Sequence, residues 1–196
     1  DVYKRQPLDN PRDRLILPFM GPVYDFFAQP AVWVVIRIIT GAMLVMSGWP
    51  KIQAPFAMAG MMAGLVPFGP GWFWSLIVSL TEFLGGILIL IGLFTRPAAV
   101  AATILLLVTL SFHLHNPYGT SFLTPEGVAF MTGEGAHYFT DAARAQLAPD
   151  GGVSFLSGVQ QKAEFTSIFW ACLTALFAAF GGGYLSLDKM VLKRQF

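Results

Sequence analysis

Two charges stand where charges are costly. Glu82 interrupts the apolar run 71–96, GWFWSLIVSLTEFLGGILILIGLFTR, and Arg37 interrupts the run 31–49, AVWVVIRIITGAMLVMSGW. A carboxylate in hydrocarbon costs at least about 2.5 kcal/mol, so Glu82 must face protein, find a partner or take up a proton. Counting about 1.5 Å per residue from the ends of the two runs sets Arg37 roughly 10 Å deep and Glu82 roughly 18 Å deep. The two depths differ by about 8 Å, a gap arginine can span, so the sequence predicts that Arg37 and Glu82 pair or share a polar pocket. Such a pair either fixes helix register or marks a functional site.

The three histidines raise the question of a metal. His113 and His115 share a face on a strand but not on a helix, and His137 is free to approach. Three imidazoles suit zinc or copper. Nothing in the spacing fixes their distances, so no metal is expected, and His113, His115 and His137 are the residues that would ligate one. The single cysteine, Cys172, has no disulfide partner in the chain and reads as packing within an apolar run. No glycine-rich phosphate loop, nucleophile elbow or Cys-X-X-Cys is present.

The elements that carry these residues are apolar helices. Of 196 residues, 55% are hydrophobic and 12% charged, about half the charge of an average soluble domain at roughly 25%. The formal net charge of +1 gives no reason to expect a nucleic-acid partner. A span needs about 20 apolar residues. Four segments qualify, at about 31–50, 71–95, 97–114 and 165–187. The fold class predicted is therefore all-α: an integral membrane four-helix bundle over 31–190. An arm at 1–30 precedes it, whose apolar part, 15–29, is broken by Pro18, Gly21 and Pro22 and is expected to lie at the interface. The first apolar segment is too long for a signal peptide and lacks a small-residue cleavage site, so none is expected. Residues 52–70 are fenced by prolines, which predicts a short helix in a re-entrant or interfacial connection. Residues 188–196 form a charged tail.

Lysine and arginine counts predict the orientation. Lys4, Arg5, Arg12, Arg14, Arg96, Lys189, Lys193 and Arg194 fall on one side, and Lys51, Arg144 and Lys162 on the other. Both termini are expected to be cytoplasmic. The long loop 113–164 is expected outside, in the periplasm, with Glu126, Glu134, Asp141, Asp150 and Glu164 set against Arg144 and Lys162. Its aromatic content, from Phe112 and Tyr118 to Tyr138 and Phe155, is high for a disordered linker and predicts an ordered cap.

Several of these residues form a recognisable set. Arg37 with Gly41, the run Ser47-Gly48-Trp49-Pro50-Lys51, Glu82 with Gly85-Gly86, the run 92–96 (GLFTR) and the ending 181–188 (GGGYLSLD) resemble the DoxX family of small four-helix bacterial membrane proteins. The resemblance covers about 31–112 and 165–190; the outer loop is longer than the family leads one to expect. It implies a bacterial inner membrane location and links to thiol or sulfur redox chemistry and to quinones, because the related DoxD protein is a subunit of a thiosulfate:quinone oxidoreductase. On that basis the chain is expected to be a redox-associated subunit holding a quinone near the first two spans. Arg37, Trp49, Lys51 and Glu82 would supply the flat apolar slot and the donor or proton-exchanging groups. The alternative is a non-catalytic accessory subunit of a larger membrane complex. Expected partners are the lipid bilayer and either other membrane subunits or further copies of the chain.

Overall fold

The computed structural model describes residues 15–192. The sequence readings for residues 1–14 and for Lys193 and Arg194 lie outside the described residues. Those described are helical, with no strand among them. Four helices are long and apolar enough to cross a membrane: α1 (Pro18–Gln53), α3 (Gly71–Ile91), α4 (Thr95–His115) and α7 (Val153–Phe180). The chain is a helical multi-pass membrane protein. Shorter helices are α2 (Ala59–Leu65), α5 (Pro125–Thr132), α6 (Asp141–Leu147) and α8 (Leu187–Met190).

The helix boundaries move from those the sequence predicts, each for a local reason. The segment expected to break at Pro18, Gly21 and Pro22 is continuous with α1. Both prolines fall in first-turn positions, where the missing N–H has no intrahelical partner to lose, and a π-helical stretch at Tyr24–Ala28 takes up the change in winding. Pro50 does not close α1 but lies inside it. Ending instead at Gly92, with φ 73°, α3 stops short of Arg96-Pro97: the left-handed residue lets the Gly92 and Leu93 N–H groups reach back to Ile89 and Leu88. Gly181, with φ 80°, stops α7 in the same way, so the fourth long helix is Val153–Phe180 instead of 165–187.

The chain divides into two compact units. One runs to Leu105 and resumes at Cys172; the other is Leu106–Ala171. In the first, α1 and α3 are antiparallel and glycines set their register. A Cβ on Gly41 would lie 2.5 Å from Leu90 N, one on Gly86 would lie 2.8 Å from Val45 N, and one on Gly48 would lie 2.5 Å from Phe83 N. These are backbone contacts that no rotamer change relieves, so the helices touch along a glycine seam. A Cβ on Gly85 would meet nothing within 4 Å, so of the Gly85-Gly86 pair only Gly86 lies on the seam. Seated on the start of α3 is the proline-fenced connection: the Ser75 hydroxyl donates to Pro55 O at 2.6 Å and Trp74 Nε1 donates to Phe68 O at 2.7 Å. α4 meets α7 through small residues, with Thr103 Oγ1 donating to Thr174 Oγ1 at 2.9 Å. Cys172, expected to pack, is exposed.

The second unit holds most of the residues expected to form the outer loop, and they fold. Thr124 and Thr140 cap α5 and α6 by accepting from Gly127 N and Ala143 N, both at 3.2 Å. Asp150 caps α7 by accepting from Gly152 N and Ser154 N, both at 2.9 Å. Hydrogen bonds from Ser154, then from nearby backbone N–H groups, hold the Asp150 carboxyl below the usual carboxylate range. Its cap is therefore present at neutral pH and is lost only as pH falls through that depressed value. Aromatic pairs Phe122–Phe155 and Phe130–Tyr138 stand 5.8 and 6.4 Å apart, and Met131 and Leu156 are buried.

Candidate functional site

The glycine seam decides what faces Glu82. Gly48 admits the backbone of Glu82 and Phe83, so the α1 residues one position before Gly48 and three after it straddle the carboxylate. Ser47 and Lys51 are four residues apart on one helical face. The Ser47 hydroxyl donates to Glu82 Oε2 at 2.9 Å, and the Lys51 ammonium donates to Glu82 Oε1 as an ion pair. Because the helix continues through Pro50, Lys51 keeps this face. Glu82 is 6% exposed, whereas the Lys51 side chain retains 30% exposure, so the pair links the helix interface to its surroundings. Trp49 turns the other way; its ring lies 5.7 Å from Phe83 and is half exposed.

Arg37 is not Glu82's partner. From Gly48, level with Glu82, to Arg37 is eleven residues of α1, about 16 Å along the axis. The depth estimate missed this because it took the ends of the two runs as level, whereas Arg37, well inside its own run, is level with the turn that ends α3. Arg37 is instead level with the turn after α3: a Cβ on Gly92 would lie 2.9 Å from Arg37 Nη1. Only 3% exposed, it donates to three carbonyls of the turn that follows α7, from Nη1 to Gly182 O and to Tyr184 O at 3.2 Å, and from Nη2 to Leu185 O at 2.9 Å. The cation thus occupies the negative end of α7 and satisfies carbonyls beyond it.

Asp188 completes this clasp from the opposite side. Its carboxylate accepts from Phe94 N at 2.7 Å, Thr95 N at 3.0 Å and Thr95 Oγ1 at 2.9 Å, capping the start of α4, while Asp188 N donates to Gly92 O at 2.9 Å. Trp33 Nε1 donates to Gly181 O at 3.1 Å, and the Trp33 ring meets Phe177 edge-on at 5.2 Å. The ending 181–188 is therefore a connector tying α1, α4 and the α3–α4 turn together. Sequence reasoning grouped Arg37 with the wrong acid and missed Ser47 and Asp188. The four-residue spacing of Ser47 and Lys51 was the available signal for the first; for the second nothing local was.

The histidines do not converge. His115 Nδ1 is 2.7 Å from Ser111 O within α4, the His113 ring lies 5.8 Å from Tyr118, and the His137 ring lies tilted against Tyr138 at 4.0 Å. Among the described residues no three His, Cys, Asp or Glu side chains form a metal-binding group.

The DoxX family model matches residues 32–116. This segment resembles a DoxX domain. Within it lie Arg37, the glycine seam, Ser47, Lys51 and Glu82; Asp188 and the closing turn fall beyond the matched segment. No curated protein and no solved structure matches the chain.

The pair geometry predicts an order of damage. Glu82→Gln leaves Lys51 free to turn toward water. Lys51→Met leaves a buried carboxylate with only Ser47, a loss approaching the about 3–5 kcal/mol of a fully buried broken pair. Unfolding in detergent should rank Lys51→Met as the more destabilising, with the double variant Lys51→Met/Glu82→Gln regaining most of the loss. This reverses the order that an Arg37–Glu82 pair predicts. A double variant no better than Lys51→Met would contradict it.

Proposed function

We propose that this DoxX-like protein is a redox-associated membrane subunit that holds a quinone headgroup at the Ser47–Lys51–Glu82 cluster. The observation that carries this reading is a buried carboxylate paired with a lysine that remains part-exposed. An ammonium has three donors, and Glu82 engages one, so Lys51 has donors left for a quinone oxygen. The carboxylate–ammonium pair suits a headgroup whose oxygens take up protons on reduction. Support comes also from the resemblance of the surrounding motif to quinone-linked relatives. Arg37 has no place in this pocket; its donors are directed to the closing turn.

The location we propose is a bacterial inner membrane with both termini cytoplasmic, on the side where the excess of lysine and arginine falls. In a Cys172→Ser background, Ala145→Cys should react with an impermeant thiol reagent added from outside intact cells, and Leu192→Cys only after lysis. The reverse pattern would overturn the orientation.

Quinone binding is tested with a short-chain ubiquinone analogue titrated into protein held in nanodiscs. Loss of a hydrogen bond from a charged donor, about 1.5–3 kcal/mol, raises Kd at least about tenfold. That rise is expected for Lys51→Met/Glu82→Gln, whose fold is the control. Equal Kd for wild type and double variant would remove the quinone reading and leave the accessory-subunit one.

A further inference from the structure

Two residues at the clasp are in a conformation that side chains disfavour. Phe94 has φ 46° and Leu185 has φ 52°, both in the left-handed region, where bulky residues are outliers. Their neighbours in the same turns, Gly92, Gly181 and Gly183, take positive φ as glycines. The clasp holds the strain: Asp188 accepts from Phe94 N, and Arg37 donates to Leu185 O. Both side chains point outward, Phe94 at 44% and Leu185 at 69% exposure. Packing inside the bundle therefore does not explain why position 185 carries a large apolar group.

The charges around them are unbalanced. Arg37 and Asp188 are buried and interact electrostatically with each other. Arg96 follows Thr95, whose N–H Asp188 caps, and Lys189 follows Asp188. Arg96 lies against Gly181, where a Cβ would be 3.3 Å from its Nε, and that Nε is buried with no acceptor. Lys189 is exposed and sits 4.2 Å over the Tyr184 ring. Neither joins the ion pairs formed among the described residues, Lys51–Glu82 and Arg144–Asp141. Two cations thus flank two outward apolar side chains, at the point where α3 and α7 end and α4 begins.

We propose that this end of the bundle, Phe94, Arg96, Leu185 and Lys189, is a binding site for an anionic phospholipid. Arg96 and Lys189 take the headgroup phosphate, and Phe94 and Leu185 lie along the acyl chains. A phosphate needs multivalent donors at the edge of the hydrocarbon, and the acyl chains need apolar surface directly beside them; the two turns supply both. The left-handed strain at Leu185 is then the cost of presenting a side chain to lipid.

The test is native mass spectrometry of the protein released from bilayers of equal parts phosphatidylglycerol and phosphatidylcholine. Wild type should retain phosphatidylglycerol preferentially. Arg96→Gln/Lys189→Gln should lower that ratio at least about fivefold, the effect of one basic residue near a charged surface. Lys162→Gln, an exposed lysine of the second unit, should leave it unchanged. Leu185→Gly should reduce lipid retention while leaving the melting temperature the same or higher, because glycine relieves the left-handed strain. A merely structural Leu185 would instead leave retention unaltered. If Arg96→Gln fails to fold, Lys189→Gln alone carries the test. An unchanged ratio in the basic-residue variants, or displacement of wild-type lipid by inorganic phosphate alone, would overturn the lipid site.

Discussion

Everything in the first compact unit depends on where Arg37 finds acceptors. A guanidinium cannot be deprotonated, so an arginine 3% exposed in a membrane-spanning helix must be surrounded by oxygen. This chain supplies that oxygen from backbone. α7 ends at Phe180, and the turn beyond it folds so that the carbonyls of Gly182, Tyr184 and Leu185 converge on one side chain. Asp188 then answers the opposite need, taking the N–H groups left over at the start of α4. Unsatisfied backbone at helix ends, costly in an apolar setting, is cancelled by an arginine and an aspartate from distant parts of the chain.

With Arg37 committed there, Glu82 has to be satisfied elsewhere. The glycine seam makes this possible, because the approach of Gly48 to the Glu82–Phe83 backbone brings Ser47 and Lys51 onto the carboxylate. The result is two polar centres about 16 Å apart along one helix. One is closed, its charges buried and directed at helix ends, and serves architecture. The other opens outward through a part-exposed lysine.

The parts of this arrangement that were legible in the sequence are those set by short-range rules. Apolar length revealed all four long helices, and the cost of Arg37 and Glu82 in lipid marked both as residues needing partners. The choice of partner was not legible, since it depends on register. Register here follows from Gly41, Gly48 and Gly86, which look the same in sequence as Gly85, where an added Cβ would meet nothing within 4 Å. Helix ends were misplaced for a related reason. Proline was read as the terminator, yet Pro18, Pro22 and Pro50 lie within helices, and the actual stops are left-handed Gly92 and Gly181. Asp188 was the hardest to see: its partners are more than ninety residues away, and a charged tail ordinarily reads as solvated.

The central claim is that Arg37 is coupled to Asp188 through the closing turn and independent of Glu82. Double-mutant cycles on unfolding free energy in detergent test it directly, comparing Arg37→Gln with Asp188→Asn and Arg37→Gln with Glu82→Gln. Groups well separated add to within about 0.3–0.5 kcal/mol, and members of one network deviate by about 0.5–3 kcal/mol. The structure predicts additivity for Arg37 and Glu82 and a deviation above about 1 kcal/mol for Arg37 and Asp188. Strong coupling of Arg37 to Glu82, with additivity toward Asp188, would contradict the register and both polar centres built on it.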